Sequence, residues 1–418
     1  MDRRLKLEPT LGLLDATAIS VGAIIGAGIF VVTGIVAGMA GPALVISMII
    51  AAIVSLFTAL SFADLSAWLP REGSVYEFSY RLISPFAGFA AGWMYILGNI
   101  FGGAAVALGF AFYFGSLLPF LQPKYIAALI CIAFTALNHI GIKQSARINN
   151  ILVGSKLLIL LFFVIFGFNY VKPTNFSPFV PSYTGIVYGA CYIFFAYGGF
   201  ARVAVVAEEV KEARQNVPRA MLLSLLISTI FYLLIGVVAI GLVGAVGLSS
   251  SSYPLSKAIS ATGSSVAVFL VTIGGLMATS SVLLTSILGV SREIYAMALR
   301  NAVPDVFSRL HPKHDTPHYA IWISGIIMIL LVLSVDLTKV VAISTFGQLI
   351  YYSLANVSDL RLKVLRRAGG KKVPILGLAS CLALLVFLYL VSTESWIAGA
   401  AGLTFGGAYY LMRRRLKL

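Results

Sequence analysis

The chain has 418 residues, 60% of them hydrophobic and only 11% charged, with a mean hydropathy of +0.97. Soluble domains average about 25% charged residues, so this composition excludes a water-soluble globular protein. The formal net charge of +15 would suggest nucleic acid in a soluble chain, but here it follows membrane topology, as shown below.

A helix needs about 20 consecutive apolar residues to cross the hydrocarbon layer. In chain order, residues 13–38, 42–69, 83–118, 125–142, 149–170, 184–207, 219–246, 264–299, 319–335, 338–356, 373–391 and 395–412 read as such segments. The expectation is an all-α integral membrane protein with twelve transmembrane helices, in one domain covering 1–418. A transmembrane β-barrel is excluded, because its strands would alternate apolar and polar residues over short runs. Arg3, Arg4 and Lys6 precede the first span with no small-residue cleavage pattern, so no removable signal peptide is expected. Cys131, Cys191 and Cys381 fall within spans and read as packing residues. The four histidines, three of them on the 300–318 loop, show no ligand-spaced pattern. No metal, cofactor or catalytic centre is expected.

With twelve spans and the N-terminus inside, 24 of the 30 Lys and Arg fall on the cytoplasmic side. Lys124, Lys172, Lys257 and Lys339 fall outside. That bias is the positive-inside rule, and it places both termini in the cytoplasm of a multi-pass plasma-membrane protein. Lys156 and Arg202 remain, each within a span. Lys156 is the only charged residue between Ile151 and Phe168. An intramembrane charge is expensive and is by default a functional-site candidate.

Two spans carry glycine-rich interruptions. The first holds Gly26-Ala27-Gly28, and the sixth holds Tyr197-Gly198-Gly199-Phe200. These are spans one and six of a chain whose first ten divide into five plus five. An odd number per half inverts the second half relative to the first. Gly-interrupted spans at matching positions of inverted halves point to the binding site of a secondary transporter. The expected halves are 11–170 and 184–362, with peripheral helices in 373–412.

Gly22-Ala-Ile-Ile-Gly26-Ala-Gly28-Ile-Phe30 resembles the first-helix signature of the amino acid–polyamine–organocation (APC) transporter superfamily. Phe194-Phe-Ala-Tyr197-Gly-Gly-Phe200, followed by Glu208-Glu209 and Asn216-Val-Pro218-Arg219, resembles its sixth-helix signature. The likeness runs from about residue 11 to 362 and is nearest to prokaryotic relatives of the cationic amino acid transporters. It implies the five-plus-five inverted-repeat fold, broken helices 1 and 6, and import of α-amino acids by alternating access. The sequence departs from the pattern at Ala201-Arg202, where many members carry an acid after the phenylalanine, and at Ala27, where several carry a hydroxyl residue.

An amino acid carries a carboxylate and an ammonium that both need partners at the membrane midplane. The second half of a broken first helix starts with unpaired N–H groups, which suit a carboxylate. Ile25, Gly26, Ala27 and Gly28 are the candidates. By resemblance, Phe195, Ala196 and Gly198 offer carbonyls to the ammonium, and Phe200 is the expected gate. Arg202 either lines the inner vestibule or pairs with Glu208, Glu209 or another acid. Asn99 either bonds between helices or faces the cavity.

Counted from Asn149, Lys156 lies about 10 Å into its helix at ~1.5 Å per residue. It either snorkels to the interface or acts in coupling. By resemblance to proton-coupled relatives, it would replace a sodium ion between helices one, five and eight. Its partners there would be Gly22, Ala23, Ser280 and Ser281. The expected activity is proton-coupled amino acid import, with an amino acid/amine exchanger of the same fold as the alternative and a membrane-embedded enzyme ranked below both. Expected partners are the amino acid, the proton and the lipid bilayer, with no nucleic acid and no obligatory protein partner.

Overall fold

The structure is a computed structural model that describes residues 9–416 except 72, 119, 178, 180, 181 and 368. Arg3, Arg4, Lys6 and Lys417, which entered the charge pattern, lie outside the described residues, as does the side chain of Lys143. In chain order the helices are α1 Leu13–Ile24, α2 Thr33–Ala40, α3 Leu44–Trp68, α4 Ser74–Leu82, α5 Pro85–Leu117 and α6 Pro123–Ile140. They continue as α7 Ile142–Phe168, α8 Tyr183–Tyr197, α9 Arg202–Val205, α10 Ala213–Ser249 and α11 Pro254–Ser260. The last five are α12 Ser265–Leu299, α13 His318–Ser334, α14 Leu337–Leu365, α15 Lys372–Val391 and α16 Thr393–Leu416. Among the described residues the only β-type pairing is an isolated parallel bridge between Leu11 and Val210.

Nine segments of the described residues are long and apolar enough to cross a membrane. One of them, Leu13–Trp68, runs 56 residues through a tight turn at Gly41–Ala43. Helix α13 is shorter, at 17 residues, and α16 carries Glu394 in its first turn and three arginines in its last. Large apolar side chains such as Leu129, Leu158, Ile165, Leu226 and Val386 stay exposed around the bundle. Hydrocarbon is the solvent that such a surface suits.

Both glycine-marked interruptions are real breaks. Helix α1 ends at Ile24, Ile25 is extended (φ −80°, ψ 100°), and the chain resumes as a π-helical turn, Gly28–Val32, that leads into α2. Helix α8 ends at Tyr197, and residues 198–201 form a turn before α9. The two breaks lie against each other. A Cβ added at Gly28 would collide with Ala196, and one at Gly199 would fall on the backbone of Ala23 and Ile24. A short backbone clamp also joins the two segments. Thr10 N and Leu11 N both donate to Glu209 O at 2.9 Å, and Lys211 N donates to Leu11 O at 2.9 Å.

Helix α7 starts earlier than the hydropathy suggested. It begins at Ile142, so Lys156 is fourteen residues in, about 21 Å at ~1.5 Å per residue. The polar run Lys143 to Asn150 is helical although it is not apolar, which is why hydropathy missed it. Lys156 therefore lies near the middle of the helix, where its side chain is fully buried and points into the protein. The three cysteines are free and buried. The four histidines meet in space, with His139 about 5.0 Å from His311 and 6.2 Å from His318, centroid to centroid. Even so, no group of three among the described residues is placed to hold a metal ion.

At one end of the bundle Glu77 of α4 is clamped by Arg81, at 3.1 Å, and by the Nε and Nη2 of Arg300, which donate one to each carboxylate oxygen. Burial pushes the Glu77 carboxyl up, but the two arginines outweigh it and hold it below its ordinary 4.5. A carboxyl lowered on folding stabilises the fold above its unfolded value, and that stability is lost as pH falls through the folded value. Melting temperature should therefore fall as pH drops below 4.5, and in Arg300→Gln, where the folded and unfolded values move closer together, the Glu77 share of that fall should shrink. Identical pH profiles for the two proteins would contradict the clamp. A second prediction concerns the contact between the breaks. Because backbone cannot yield as a side chain can, Gly199→Ala should cost about 1–3 kcal/mol or more of stability. Thermal unfolding of the purified variant would show it, and an unchanged melting temperature would rule out this close approach.

Candidate functional site

Breaking a helix inside a membrane frees carbonyls that no water can satisfy, and each one left bare costs several kcal/mol. The structure assigns a side chain to most of them. The Tyr232 hydroxyl of α10 lies 2.7 Å from Ile24 O and 3.0 Å from Ala196 O, so one group serves both breaks. Tyr352 of α14 donates to Gly198 O at 2.6 Å, and Tyr113 of α5 donates to Phe30 O at 2.7 Å. Ser20 Oγ donates to Phe200 O at 3.3 Å.

Lys156 completes the set. Its side chain is fully buried, and its amine donates to Gly22 O at 3.2 Å, Val21 O at 3.5 Å, Ile25 O, and Ser281 Oγ of α12 at 2.6 Å. Ser281 Oγ in turn lies 3.1 Å from Gly22 O. One nitrogen thus joins α7, the broken end of α1, and α12. Of the four partners expected, Gly22 and Ser281 are in contact, and Ala23 and Ser280 are not among its bonds. Ile25, whose carbonyl the unwound turn frees, and Val21, in the last turn of α1, take their places.

Beside the breaks is a cavity lined by α1, the π turn, α5, α8, α9, α12 and α14. Its volume is about 20 Å³, roughly enough for one water molecule. Ala23, Ala27, Gly28, Phe195, Ala196 and Gly198 line it, as do Asn99 and Arg202. Ala27 and Gly28 stand at a helix start, where N–H groups lack intrahelical partners. The Ala196 and Gly198 carbonyls already accept one hydrogen bond each, which leaves a second lone pair on both. Ile25 and Gly26 are off the cavity wall. So is Phe200, which stacks on Tyr352 (centroids 5.0 Å apart, planes at 17°) and meets Phe62 edge-on at 6.0 Å.

Arg202 lines the cavity and does not pair with the neighbouring acids. Glu209 is taken by Arg292 at 3.1 Å, and Glu208 is exposed. The Arg202 guanidinium instead donates to Asn99 Oδ1 at 2.7 Å and reaches Ser286 O and Oγ at 3.4 Å. Asn99 therefore both faces the cavity and bonds between helices. Sequence reasoning missed Ser286, Gln348 and the three tyrosines. A lone tyrosine among 19 carries no local signal of a partner 36 to 208 residues away.

The family model described as amino acid permease matches residues 11–406. The branched-chain amino acid permease of Bacillus subtilis is 34% identical over 415 residues, covering 94% of this chain and 89% of that protein. The methylthioribose transporter of the same organism is 30% identical, covering 98% and 94%. Cationic amino acid transporter 4 of Mus musculus is 33% identical, covering 85% of this chain and 60% of its own length. With a family match across nearly its whole length and relatives that are permeases and transporters, the chain belongs to the amino acid permease family of the APC superfamily, as a membrane transporter and not an enzyme.

Proposed function

We propose that this protein imports α-amino acids by alternating access and couples the movement to protons through Lys156. On this reading twelve helices cross the plasma membrane, both termini are cytoplasmic, and 11–170 and 184–362 are inverted halves. The substrate carboxylate meets the N–H groups of Ala27 and Gly28 at the start of the π turn, and its ammonium meets the carbonyls of Phe195, Ala196 and Gly198. Phe200, packed in an aromatic cluster next to the break, moves as the gate when the cavity opens. A cavity of about 20 Å³ is too small for any amino acid, so the present arrangement corresponds to a closed stage of the cycle.

The observation that carries the coupling is the acceptor set around Lys156. Three carbonyls and one hydroxyl surround one nitrogen. An ammonium offers three donors and a neutral amine two, so the protonated form fits this set better. Protonated Lys156 pins the broken end of α1 to α12. Loss of the proton leaves a carbonyl short of a donor and loosens that joint, which biases the protein between its outward and inward states.

In proteoliposomes, wild-type protein should accumulate amino acid against its gradient when the outside is acidic, with no requirement for sodium. Lys156→Ala should bind substrate yet lose accumulation, bringing the internal-to-external ratio to about one. Leaving the carbonyls bare should also cost about 1–3 kcal/mol of stability. Retained pH-driven accumulation in the variant, or sodium-dependent uptake by the wild type, would defeat the proposal.

A further inference from the structure

Among the described residues lining the cavity, Arg202 is the only charged one. It is 4% exposed, and a buried charge without a counter-ion is costly. Every group within its reach is neutral: Asn99, Ser286, and the Tyr95 ring, whose centroid is 5.9 Å away. No described carboxylate lies within 4.0 Å of it. Glu209 is taken by Arg292. The Arg202 side chain packs over Gly289 of α12, and Glu293 lies one helical turn beyond, about 6 Å of rise at ~1.5 Å per residue, without forming an ion pair with it. Three hydrogen bonds engage at most three of the five guanidinium donors.

The opposite need is met on the same wall. Gln348 of α14 also lines the cavity, and its Oε1 is buried with no hydrogen-bond partner, while its Nε2 reaches Ser344 Oγ at 3.4 Å. An orphaned acceptor beside the carbonyls of the α8 break suits an ammonium. The cavity therefore presents three polar regions: helix-start N–H groups for one carboxylate, acceptors for an ammonium, and an unpaired guanidinium. An α-amino acid supplies the first two charges. The third region calls for a second anion.

We propose that the preferred substrate is an acidic amino acid, whose side-chain carboxylate pairs with Arg202. This rests on the amino acid reading above and narrows it. A carboxylate matches the guanidinium fork with two parallel hydrogen bonds, a fit that the neutral amide of the same shape lacks. The pairing also neutralises the buried charge only when substrate is present, so substrate stabilises the closed cavity.

Uptake of labelled L-glutamate and L-aspartate, measured beside L-glutamine and L-asparagine in proteoliposomes of the full chain, tests this with isosteric pairs. A charge-assisted pair should favour each acid over its amide by about tenfold or more in kcat/KM. Arg202→Gln should collapse that ratio toward one, and Arg202→Lys should retain part of it. Amides or other neutral amino acids carried as well as the acids would overturn this inference and leave amino acid transport standing. An acid preference that persists in Arg202→Gln would overturn the role of Arg202. Uptake of no amino acid at all would overturn both readings.

Discussion

Backbone polarity inside a membrane is the constraint on which the rest of this structure depends. Two helices are interrupted where no water can hydrate the freed carbonyls, and unpaired groups there are costly. Each interruption is stabilised by side chains from helices that are far away in sequence. Tyr232 reaches both breaks, Tyr352 reaches the second, and Lys156 takes three carbonyls of the first. The irregular backbone that makes a binding site possible is thus also the element that holds α7, α10, α12 and α14 around it.

Those supports differ in one respect that matters for function. A tyrosine hydroxyl keeps its proton under physiological conditions, so its bonds are fixed fittings. Lysine is the member of the set to which the proposed coupling assigns the moving proton. In that coupling, loss of the proton weakens the joint between α1 and α12, where Ser281 Oγ still reaches Gly22 O, and leaves the tyrosine bonds to α10 and α14 intact. On the proposed reading, a proton changes the packing of one broken segment against one partner helix, as alternating access would need. Arg202 has a separate role. It sits on the cavity wall, makes only neutral hydrogen bonds, and in the proposed specificity selects what enters the cavity without bridging the breaks.

Much of the fold was legible because hydropathy and glycine act locally. The apolar stretches mark the helices, and Gly26-Ala27-Gly28 and Gly198-Gly199 mark the breaks to within a residue or two. The start of α7 was not legible, because the stretch before Ile151 is helical and polar at once. At Lys156, the resemblance pointed to Gly22, Ala23, Ser280 and Ser281, of which Gly22 and Ser281 bond the amine. How the chain unwinds after Ile24 decides where the Ile25 carbonyl points. The reach of the amine to Val21 depends on how α7 packs on the end of α1, so neither could be foreseen. Arg202 had alternatives open in sequence, and the Glu209–Arg292 pair removes one of them. The tyrosine supports and Gln348 depend wholly on tertiary approach, and no spacing announces them.

On the proposed mechanism, substrate and proton cross together by way of Lys156. Lumenal pH recorded with a trapped dye during substrate entry into proteoliposomes tests it most directly, under conditions without a pre-set proton gradient. The account predicts that entry of substrate acidifies the lumen in wild-type vesicles and that Lys156→Ala admits substrate with no acidification. Substrate entry without a pH change in the wild type, or equal acidification in the variant, would contradict it.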